Sequence, residues 1–406
     1  MQETLSPRCG GPATVLPQLA KAQAEAGIDV MVATTNADHP TGTYHDPGWG
    51  TLADGAVPVF YGSARLSRLQ VSPSLAGYLR RAIPTFDVVH VHGLYRFPTT
   101  AAASLSRRHG VPYVIRPHGS LDPYLYEKST SGTLRLKRLY ERCFDLPNLN
   151  AASAIHYTAD DERERASFLK LRSPSFVIPN GLAWENYRIL PERGELRARC
   201  GVGDAPLVLF LGRLHIKKGL DLLVPAFDAL RRVMPDARLV IAGPENDGYG
   251  QKVRGWVSER GLEKAVHFVG PLTANDVVRA YVDADVFALP SYTENFGMTV
   301  VEAMACALPV VISDQVNIHN EVSGAQAGLV TRCSVDDVVT ALLAVLRDPG
   351  RRRVMGNAGR QLVRSRYSWP VIVNDLAREY AHIVTRSSIA TRPPRTQRIR
   401  PPGNLQ

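Results

Sequence analysis

Two glutamates, Glu294 and Glu302, stand with seven residues between them just after an apolar stretch of the chain. An apolar stretch at residues 284–289 predicts a strand just before them, so Glu294 falls in a strand-to-helix loop and Glu302 about two turns into the next helix. Open α/β sheets bind ligands in such loops. Two carboxylates there could bind hydroxyls of the two sugars in a sugar nucleotide. Amides at the helix start could hold its phosphate, and they belong to Phe296, Gly297, Met298 and Thr299.

Two basic residues follow a second buried strand, which we predict at residues 207–211. Arg213 comes shortly after this strand, and Lys218 lies at the start of the next helix. Two cations near a helix N-terminus suit a diphosphate and could neutralise a nucleoside diphosphate as it departs. A surface Arg and Lys that flank a turn are the alternative, but the glutamate segment favours the first interpretation.

The glutamates also have structural interpretations. Glu294 could be a helix N-cap acid that the helix dipole favours. Glu302 could be an exposed helical residue, although its apolar neighbours favour an acid that is paired or bound to a ligand.

Weaker candidates lie in the first half of the chain. Gly10 and Gly11 could bring backbone amides close to a phosphate, and a plain turn explains them equally well. His118 follows a strand predicted at residues 113–116 and could hydrogen-bond the transferred sugar or an acceptor hydroxyl. An ordinary loop histidine is the alternative, since histidine is intermediate in burial.

Little in the sequence supports a metal ion or a nicotinamide cofactor. His90 and His92 alternate along a strand and point to one face, but no third metal ligand of suitable spacing is evident. The GxGxxG fingerprint is absent, which disfavours a dehydrogenase. Five cysteines are scattered without a CxxC pair, so neither a zinc site nor a disulfide framework is indicated. We expect no metal and no cofactor.

These residues need a framework of alternating strands and helices, which the sequence predicts almost throughout. Strands are predicted at residues 28–34, 57–60, 86–92, 113–116, 154–157, 176–178, 207–211, 238–242, 266–269, 284–289 and 309–312. Helices are predicted at residues 15–26, 218–233, 250–260, 275–282, 297–306, 334–346 and 351–367. The polar segment at residues 179–191 reads as a linker. We therefore predict two doubly wound α/β domains that face a central cleft.

The beginning of the chain departs from this pattern. A doubly wound domain usually begins with a buried strand, yet residues 1–12 contain almost no apolar run. We expect the first strand to be truncated or absent. An upstream start or a decaying gene would account for it.

Size and composition narrow the class of protein. The chain has 406 residues, is 45% hydrophobic and has no run of 18 apolar residues, so we expect two or three domains and no transmembrane helix. The first residues lack the basic and apolar segments of a signal peptide. A cytoplasmic protein is the simplest expectation.

Two basic segments stand out in this chain of net charge +10. The Pro- and Arg-rich tail at residues 387–406 predicts disorder, and it is either a solvated tail or a contact for anionic lipid headgroups. Residues 135–144 mix basic and apolar residues at helical spacing, as interfacial helices do, although a solvated domain helix is at least as good an explanation. No nucleic-acid motif accompanies the charge, so we expect no nucleic-acid partner.

Together these motifs resemble the retaining family-4 glycosyltransferases. Glu294 and Glu302, with Asn295, Phe296 and Gly297 between them, match the E-x7-E motif of that family. Gly212-Arg213 with Lys218-Gly219 resembles its phosphate-binding segment, and Gly10-Gly11-Pro12 resembles its N-terminal glycine loop. The resemblance runs from about Ser6 to Arg386.

The resemblance implies a GT-B fold of two Rossmann-like domains. The acceptor-side domain would span residues 1–180 and the donor domain residues 181–368. A helix at residues 369–386 would cross back to the first domain. It also implies a metal-independent reaction that keeps the anomeric configuration, by same-face attack through an oxocarbenium-like state.

Site roles follow from the same resemblance. Glu302 would bind the nucleotide ribose, and Arg213 and Lys218 the diphosphate. Glu294 would hold the transferred sugar together with Asn295, Phe296 and Gly297. His118 would contact that sugar, and Val269 the base.

The leading hypothesis is a transferase that moves a hexose from a nucleotide sugar to a glycan or lipid-linked acceptor. Exopolysaccharide or cell-envelope glycan synthesis is the setting that the resemblance implies. A sugar-nucleotide epimerase of similar build is one alternative. A degenerate transferase that binds nucleotide without turnover is another.

Overall fold

The computed structural model describes residues 1–2, 4–5, 11–37, 46–66, 69–124, 131–245 and 248–388, with the backbone alone for Pro12, residues 131–134 and Ser388. Gly10 and most of the predicted basic tail lie outside these residues. The chain forms two compact units. Unit 1 comprises Met1–Gly181 and the chain from Trp369 onward, and unit 2 comprises Leu182–Ser368.

Unit 1 contains two groups of hydrogen-bonded strands. The first has the order β1-β3-β2, with β1 parallel and β2 antiparallel to β3. Its strands are β1 (Val32–Thr35), β2 (Gly48–Leu52) and β3 (Val57–Gly62). The second is all parallel in the order β4-β5-β6-β7. Its strands are β4 (Val89–His92), β5 (Tyr113–Arg116), β6 (Ala154–Tyr157) and β7 (Ser175–Val177).

The first two residues of the chain lie between β1 and β4. Gln2 donates its amide to the Ala33 carbonyl over 3.2 Å, and the His92 amide donates to the Met1 carbonyl over 2.8 Å. Gln2 and His92 thereby form an isolated parallel bridge. A short extended segment therefore occupies the place where the sequence predicted a missing strand.

Two predicted strands begin later than expected beside this segment. The strand predicted at residues 28–34 begins at Val32, and the one predicted at residues 86–92 begins at Val89. The preceding residues, among them Ile28, Val30 and Val88, line an apolar cavity of about 150 Å³. A strand is stabilised by hydrogen bonds to a neighbouring strand. These residues border a cavity instead of such a neighbour, so the two strands begin later.

Helices of unit 1 connect and flank these strands. They are α1 (Gly11–Glu25), α2 (Pro73–Ala82), α3 (Phe97–Arg108), α4 (Ser131–Tyr140), α5 (Leu146–Leu149), α6 (Asp160–Arg165) and the last helix, Trp369–Ser388. A π-helical turn, Glu141–Asp145, joins α4 to α5. The last helix packs on α1, where Trp369 Nε1 donates to Gln18 Oε1 over 3.3 Å. Gly181 makes room for the Trp369 ring, because a Cβ there would lie 2.2 Å from Trp369 Cε3.

Unit 2 is a single parallel sheet in the order β10-β9-β8-β11-β12-β13. Its strands are β8 (Leu207–Leu211), β9 (Arg238–Ala242), β10 (Val266–Gly270), β11 (Val286–Leu289), β12 (Val310–Ser313) and β13 (Gly328–Thr331). The apolar runs of the central strands β8 and β11 are buried except for the partly exposed Leu211, as expected for a sheet covered on both faces. The chain builds outward from β8 through β10, then returns to β11 and builds the other way.

Helices follow most strands of unit 2. They are α7 (Glu185–Arg188), α8 (Glu195–Arg199), α9 (Leu220–Val233), α10 (Tyr249–Glu259), α11 (Ala274–Asp283), α12 (Met298–Ala305), α13 (His319–Gly324), α14 (Val335–Leu346) and α15 (Pro349–Leu362). With this numbering, the last helix of the chain, Trp369–Ser388, is α16. None of the described helices is long and apolar enough to cross a membrane.

Some sequence predictions were wrong in detail. Strand β2 was not predicted because glycines interrupt it, and strand β13 was not predicted either. The helix predicted from residue 218 begins at Leu220, after a 3-10 turn at Ile216–Lys218. The helix predicted at residues 351–367 ends at Leu362 and continues as a π-helical turn to Tyr367.

Candidate active site

The sheet of unit 2 reverses its strand order between β8 and β11, which are hydrogen-bonded neighbours. Such a switch point leaves a crevice outside the carboxyl ends of the two strands, and α/β proteins bind ligands there. Arg213 and Lys218 follow β8, and Glu294 follows β11. The topology alone therefore brings both predicted charged segments to one place.

Gly219 allows the two loops to approach each other closely. Its φ is +69°, and a Cβ on it would lie 1.9 Å from the Pro290 carbonyl oxygen. The 3-10 turn that ends at Lys218 therefore packs directly on the end of β11. The Tyr292 amide adds a hydrogen bond of 2.8 Å to the Lys217 carbonyl.

Lys218 and Glu294 form an ion pair, and each side chain is 19% exposed. The backbone of Glu294 is held on both sides, because its amide donates to the Gln315 carbonyl over 3.1 Å and its carbonyl accepts from the Asn317 amide over 3.1 Å. The pair is therefore fixed in position and still reachable from solvent. A ligand could separate the pair, because the Lys218 ammonium could bind a phosphate and the Glu294 carboxylate could bind sugar hydroxyls.

Helix α12 begins just beyond the ion pair. Gly297 precedes it with φ +81°, and a Cβ there would lie 3.2 Å from Val300 Cγ2. The first amides of a helix have no partner within the helix and carry partial positive charge, so those of Met298 and Thr299 suit an anion. The Phe296 ring is buried and packs edge-on against Tyr367. Phe296 could therefore bind a ligand only through its backbone.

Glu302 lies on α12 and is only partly exposed. Its Oε2 accepts a hydrogen bond of 3.0 Å from the buried hydroxyl of Tyr281. Burial raises the pKa of the Glu302 carboxyl to about 7, and the Tyr281 hydroxyl offsets part of that rise. The sequence predicted a paired acid at Glu302 but not its partner, because Tyr281 lies on another helix.

Two other predicted site residues of unit 2 are not members of this ion pair. Arg213 is exposed, and among the described residues it forms no ion pair. Val269 is the extra residue of a β-bulge, since the pairing of β10 with β9 shifts between Phe268 and Gly270. Bulges re-aim side chains near functional sites.

His118 lies in unit 1, in the loop that follows β5. Its φ is +53°, a left-handed conformation that is rare for a residue with a Cβ. Its Nε2 lies 3.1 Å from His92 Nδ1. Glu162, which the sequence analysis missed, fixes the loop by accepting the Gly119 amide over 2.6 Å and the Thr158 hydroxyl over 2.7 Å. Burial, with the charge of Arg116 adding to it, lowers the pKa of His118 well below the usual value, so the ring is neutral.

A directional chain of hydrogen bonds passes through His90 behind this loop. His156 Nε2 lies 2.7 Å from the Ile178 carbonyl and must donate to it, which leaves His156 Nδ1 to accept from His90 Nε2 over 3.3 Å. His90 Nδ1 then accepts from the Tyr380 hydroxyl over 2.7 Å. Burial lowers the pKa of both histidines well below the usual value. Both nitrogens of His90 are engaged, which argues against the His90–His92 metal pair.

The predicted N-terminal glycine loop is described only in part. Gly11 is exposed and is the first residue of α1, whereas Gly10 lies outside the described residues. A phosphate-binding role for the two glycines stays a prediction.

Comparison with known families agrees with this geometry. A Glycosyl transferase 4-like domain matches residues 10–181, and the Glycosyl transferases group 1 model matches residues 193–362. Two Rossmann-like units with a charged switch point and these two matches define a glycosyltransferase of the GT-B fold. Since the matches together span most of the chain, it belongs to the group 1 glycosyltransferases of family 4.

Curated relatives and solved structures resemble the chain over most of its length. A GDP-mannose-dependent alpha-(1-6)-phosphatidylinositol monomannoside mannosyltransferase of Mycolicibacterium smegmatis is 29% identical, over 73% of this chain and 77% of its own. A D-inositol 3-phosphate glycosyltransferase of Pseudarthrobacter chlorophenolicus is 29% identical, over 88% and 87%. Anabaena HepE in complex with UDP superimposes with a TM-score of 0.75 at 20% identity, over 94% of this chain and 98% of that chain.

Proposed function

We propose that the chain is a retaining, metal-independent hexosyltransferase. It moves a hexose from a nucleoside-diphosphate sugar to a glycan or lipid-linked acceptor, in exopolysaccharide or cell-envelope glycan synthesis. The observation that carries this proposal is the fixed Lys218–Glu294 ion pair at the switch point, with Glu302 on α12, the helix that follows Glu294. Charged groups of both signs suit a donor that carries both a diphosphate and sugar hydroxyls.

Each group has a role in this reaction. Lys218 and Arg213 would neutralise the diphosphate as its bond to the anomeric carbon breaks. The amides at the start of α12 would share the diphosphate charge. Glu294 would hold hydroxyls of the transferred sugar, with Asn295 and Gly297 beside it. Positioning and leaving-group stabilisation then supply most of the rate, and no cofactor is required.

The remaining roles concern the nucleoside and the acceptor. Glu302 would accept hydrogen bonds from the ribose, and Val269 would contact the base. His118, neutral at physiological pH, would hydrogen-bond the transferred sugar. Several relatives have a phospholipid or an inositol phosphate in their names, which supports an acceptor linked to lipid or to phosphate. Those names and the UDP-bound structures support GDP or UDP as the nucleotide.

Ligand binding comes first among the experiments. The purified chain is heated with UDP, GDP, ADP or NAD at one shared concentration. A ligand at a hundred times its dissociation constant adds about 2.7 kcal/mol to the stability of the unit that binds it. We expect one nucleoside diphosphate to raise the melting temperature and NAD to leave it unchanged. No shift with any diphosphate would contradict the proposal.

Turnover of variants then tests the ion pair. We expect Lys218→Ala and Glu294→Gln each to lower kcat about 100-fold or more, as removal of groups that stabilise a transition state does. Lys264→Ala, at an exposed lysine of the same unit, serves as the matched control and should leave kcat unchanged. Unchanged turnover in both site variants would overturn the assignment.

Product analysis separates the alternatives. Proton NMR of the freshly formed product should show the anomeric configuration of the donor, and an inverted product would contradict a retaining reaction. Product formation without any acceptor would indicate an epimerase. Nucleotide binding without turnover on any acceptor would indicate a degenerate transferase.

A further inference from the structure

The described side chains of helix α4 and of the π-helical turn after it, at residues 135–145, have an inverted arrangement. The acids Glu141 and Asp145 are 5% and 2% exposed, whereas Leu136, Leu139 and Phe144 are 71%, 59% and 48% exposed. A helix that served only the fold would show the opposite pattern, because apolar side chains gain most from burial. The outward apolar residues therefore need an explanation outside the unit.

Polar contacts hold the inner side of this helix. Asp145 accepts the Tyr95 amide over 3.1 Å and the Thr100 hydroxyl over 3.4 Å. Glu141 accepts the Tyr95 hydroxyl over 3.2 Å. Burial raises the pKa of the Asp145 carboxyl to about 7. This part of the helix is thus attached by hydrogen bonds rather than by Leu136 and Leu139, which remain available for another surface.

The outer side of the helix combines two kinds of residue. Three exposed arginines lie beside the apolar residues at helical spacing, namely Arg135, Arg138 and Arg142. Within the described part of the chain none of the three forms an ion pair. The only acids between residues 135 and 145 are the two buried ones. We define the outer face of α4 as these three arginines with Leu136, Leu139 and Phe144.

We propose that the outer face of α4 docks on an anionic membrane surface. Anionic headgroups attract a row of arginines, while neighbouring apolar side chains enter the boundary between headgroups and acyl chains. Arginine stems can lie along this boundary and keep their charges at the headgroups. A lipid surface can contact the arginines and the apolar side chains at once along the whole outer face of α4. Such contact needs no shaped pocket on the protein. An acidic protein partner is the alternative outcome of the test below.

Vesicle binding tests the proposal on the full chain without donor or acceptor. Vesicles of phosphatidylcholine, with and without one third phosphatidylglycerol, are floated with the protein at low and high salt. We expect binding to the anionic vesicles alone and a loss of that binding at high salt. Failure would leave the proposed sugar transfer standing, because the assay contains no substrate.

Paired variants locate the binding surface. Leu136→Ser/Leu139→Ser should lower the partition coefficient about tenfold or more, from the apolar area lost. Arg138→Gln/Arg142→Gln should lower it about 30-fold, from the loss of two charges near an anionic surface. The matched control is Ile189→Ser/Val354→Ser, at positions 80% and 67% exposed in unit 2. It should bind as the parent chain does.

Either of two results in the vesicle assay would overturn the proposal. The parent chain could fail to bind anionic vesicles, as expected if the outer face serves an acidic protein. The leucine variant could instead bind as tightly as the parent, which would move the contact to another basic segment such as residues 387–406.

Phe144→Trp gives a check that does not depend on affinity, since its fluorescence should shift to the blue on anionic vesicles. An unshifted spectrum would contradict docking through this face.

Discussion

The carboxyl group of Glu302 has a pKa of about 7, against 4.5 for an ordinary glutamate. Between these two pH values the folded state binds more protons than the unfolded state. The free energy of unfolding therefore falls as the pH rises through this window. Above pH 7 the folded chain carries a partly buried carboxylate, which is the form that could accept hydrogen bonds from a ribose.

Glu302→Gln should separate the stability effect from the binding effect. The amide carbonyl can still accept from Tyr281, and it never ionises. We expect the variant to be more stable than the parent at pH 8, by on the order of 2 kcal/mol, and nearly equal to it at pH 5. Urea unfolding of unit 2 at both pH values measures this difference.

The matched control is Glu185→Gln, at an exposed glutamate of unit 2. Its effect should be the same at both pH values. A Glu302→Gln variant without pH-dependent stabilisation would show that the Glu302 carboxyl titrates normally.

His92 acts through His118 if the 3.1 Å contact between their rings positions the latter. His92→Phe keeps a ring but removes the nitrogen that holds His118. We expect kcat to fall between about 10-fold and 100-fold, with a smaller change in the KM for the donor, because misplacement by about 1 Å costs this much.

A double-mutant cycle tests this positioning role. In a His118→Ala background, His92→Phe should cost little more, since the group that it positions is gone. His109→Phe, at an exposed histidine of the same unit, should leave kcat unchanged. An equal loss from His92→Phe in both backgrounds would show that His92 acts independently of His118.

At the scale of the elements, the glycine between the 3-10 turn and α9 sets the geometry of the ion pair. Gly219 and Gly248 both precede a helix, with φ of +69° and +70°. A Cβ on Gly219 would lie 1.9 Å from the Pro290 carbonyl oxygen, whereas a Cβ on Gly248 would meet nothing within 4 Å. Both positions have a left-handed backbone, and they differ in the space that is available for a side chain.

Alanine at these two positions separates strain from steric overlap. Gly248→Ala should lower the free energy of unfolding by about 1 kcal/mol, the cost of a left-handed residue with a Cβ. Gly219→Ala should lower it by about 3 kcal/mol or more, because the turn must also move away from β11. It should also weaken donor binding, since Lys218 moves with the turn. Equal losses in urea unfolding would contradict the close approach.

The strands that carry the site were predictable from local sequence. The ranges 207–211 and 238–242 agree with β8 and β9 to the residue, because parallel strands buried on both faces are continuous apolar runs. The strands predicted from residues 28 and 86 were too long, because pairing depends on a neighbour that local sequence does not reveal. The same limit hid β2, whose five residues include two glycines.

At the scale of the whole molecule, the sequence predicted two Rossmann-like units and the motifs at the switch point. It did not predict the contacts that join distant parts of the chain. Tyr281 is 21 residues from Glu302, Glu162 is 43 residues from Gly119, and Tyr380 is 290 residues from His90. No spacing rule links residues so far apart, so these partners appear only when the chain is folded.

The hydrogen bond from Tyr380 to His90 joins the last segment of unit 1 to the first, so it can form only late in synthesis. The ribosome completes the strands of unit 1 first, then all of unit 2, and only afterwards the helix that supplies Tyr380 and the Trp369 ring. At about 5–20 residues per second, that delay is on the order of 10–40 s. Until then the newly made strands hold His90 without the Tyr380 hydroxyl that donates to its Nδ1. A chain released before α16 would contain every residue proposed for the donor site, yet lack the last segment of its first unit.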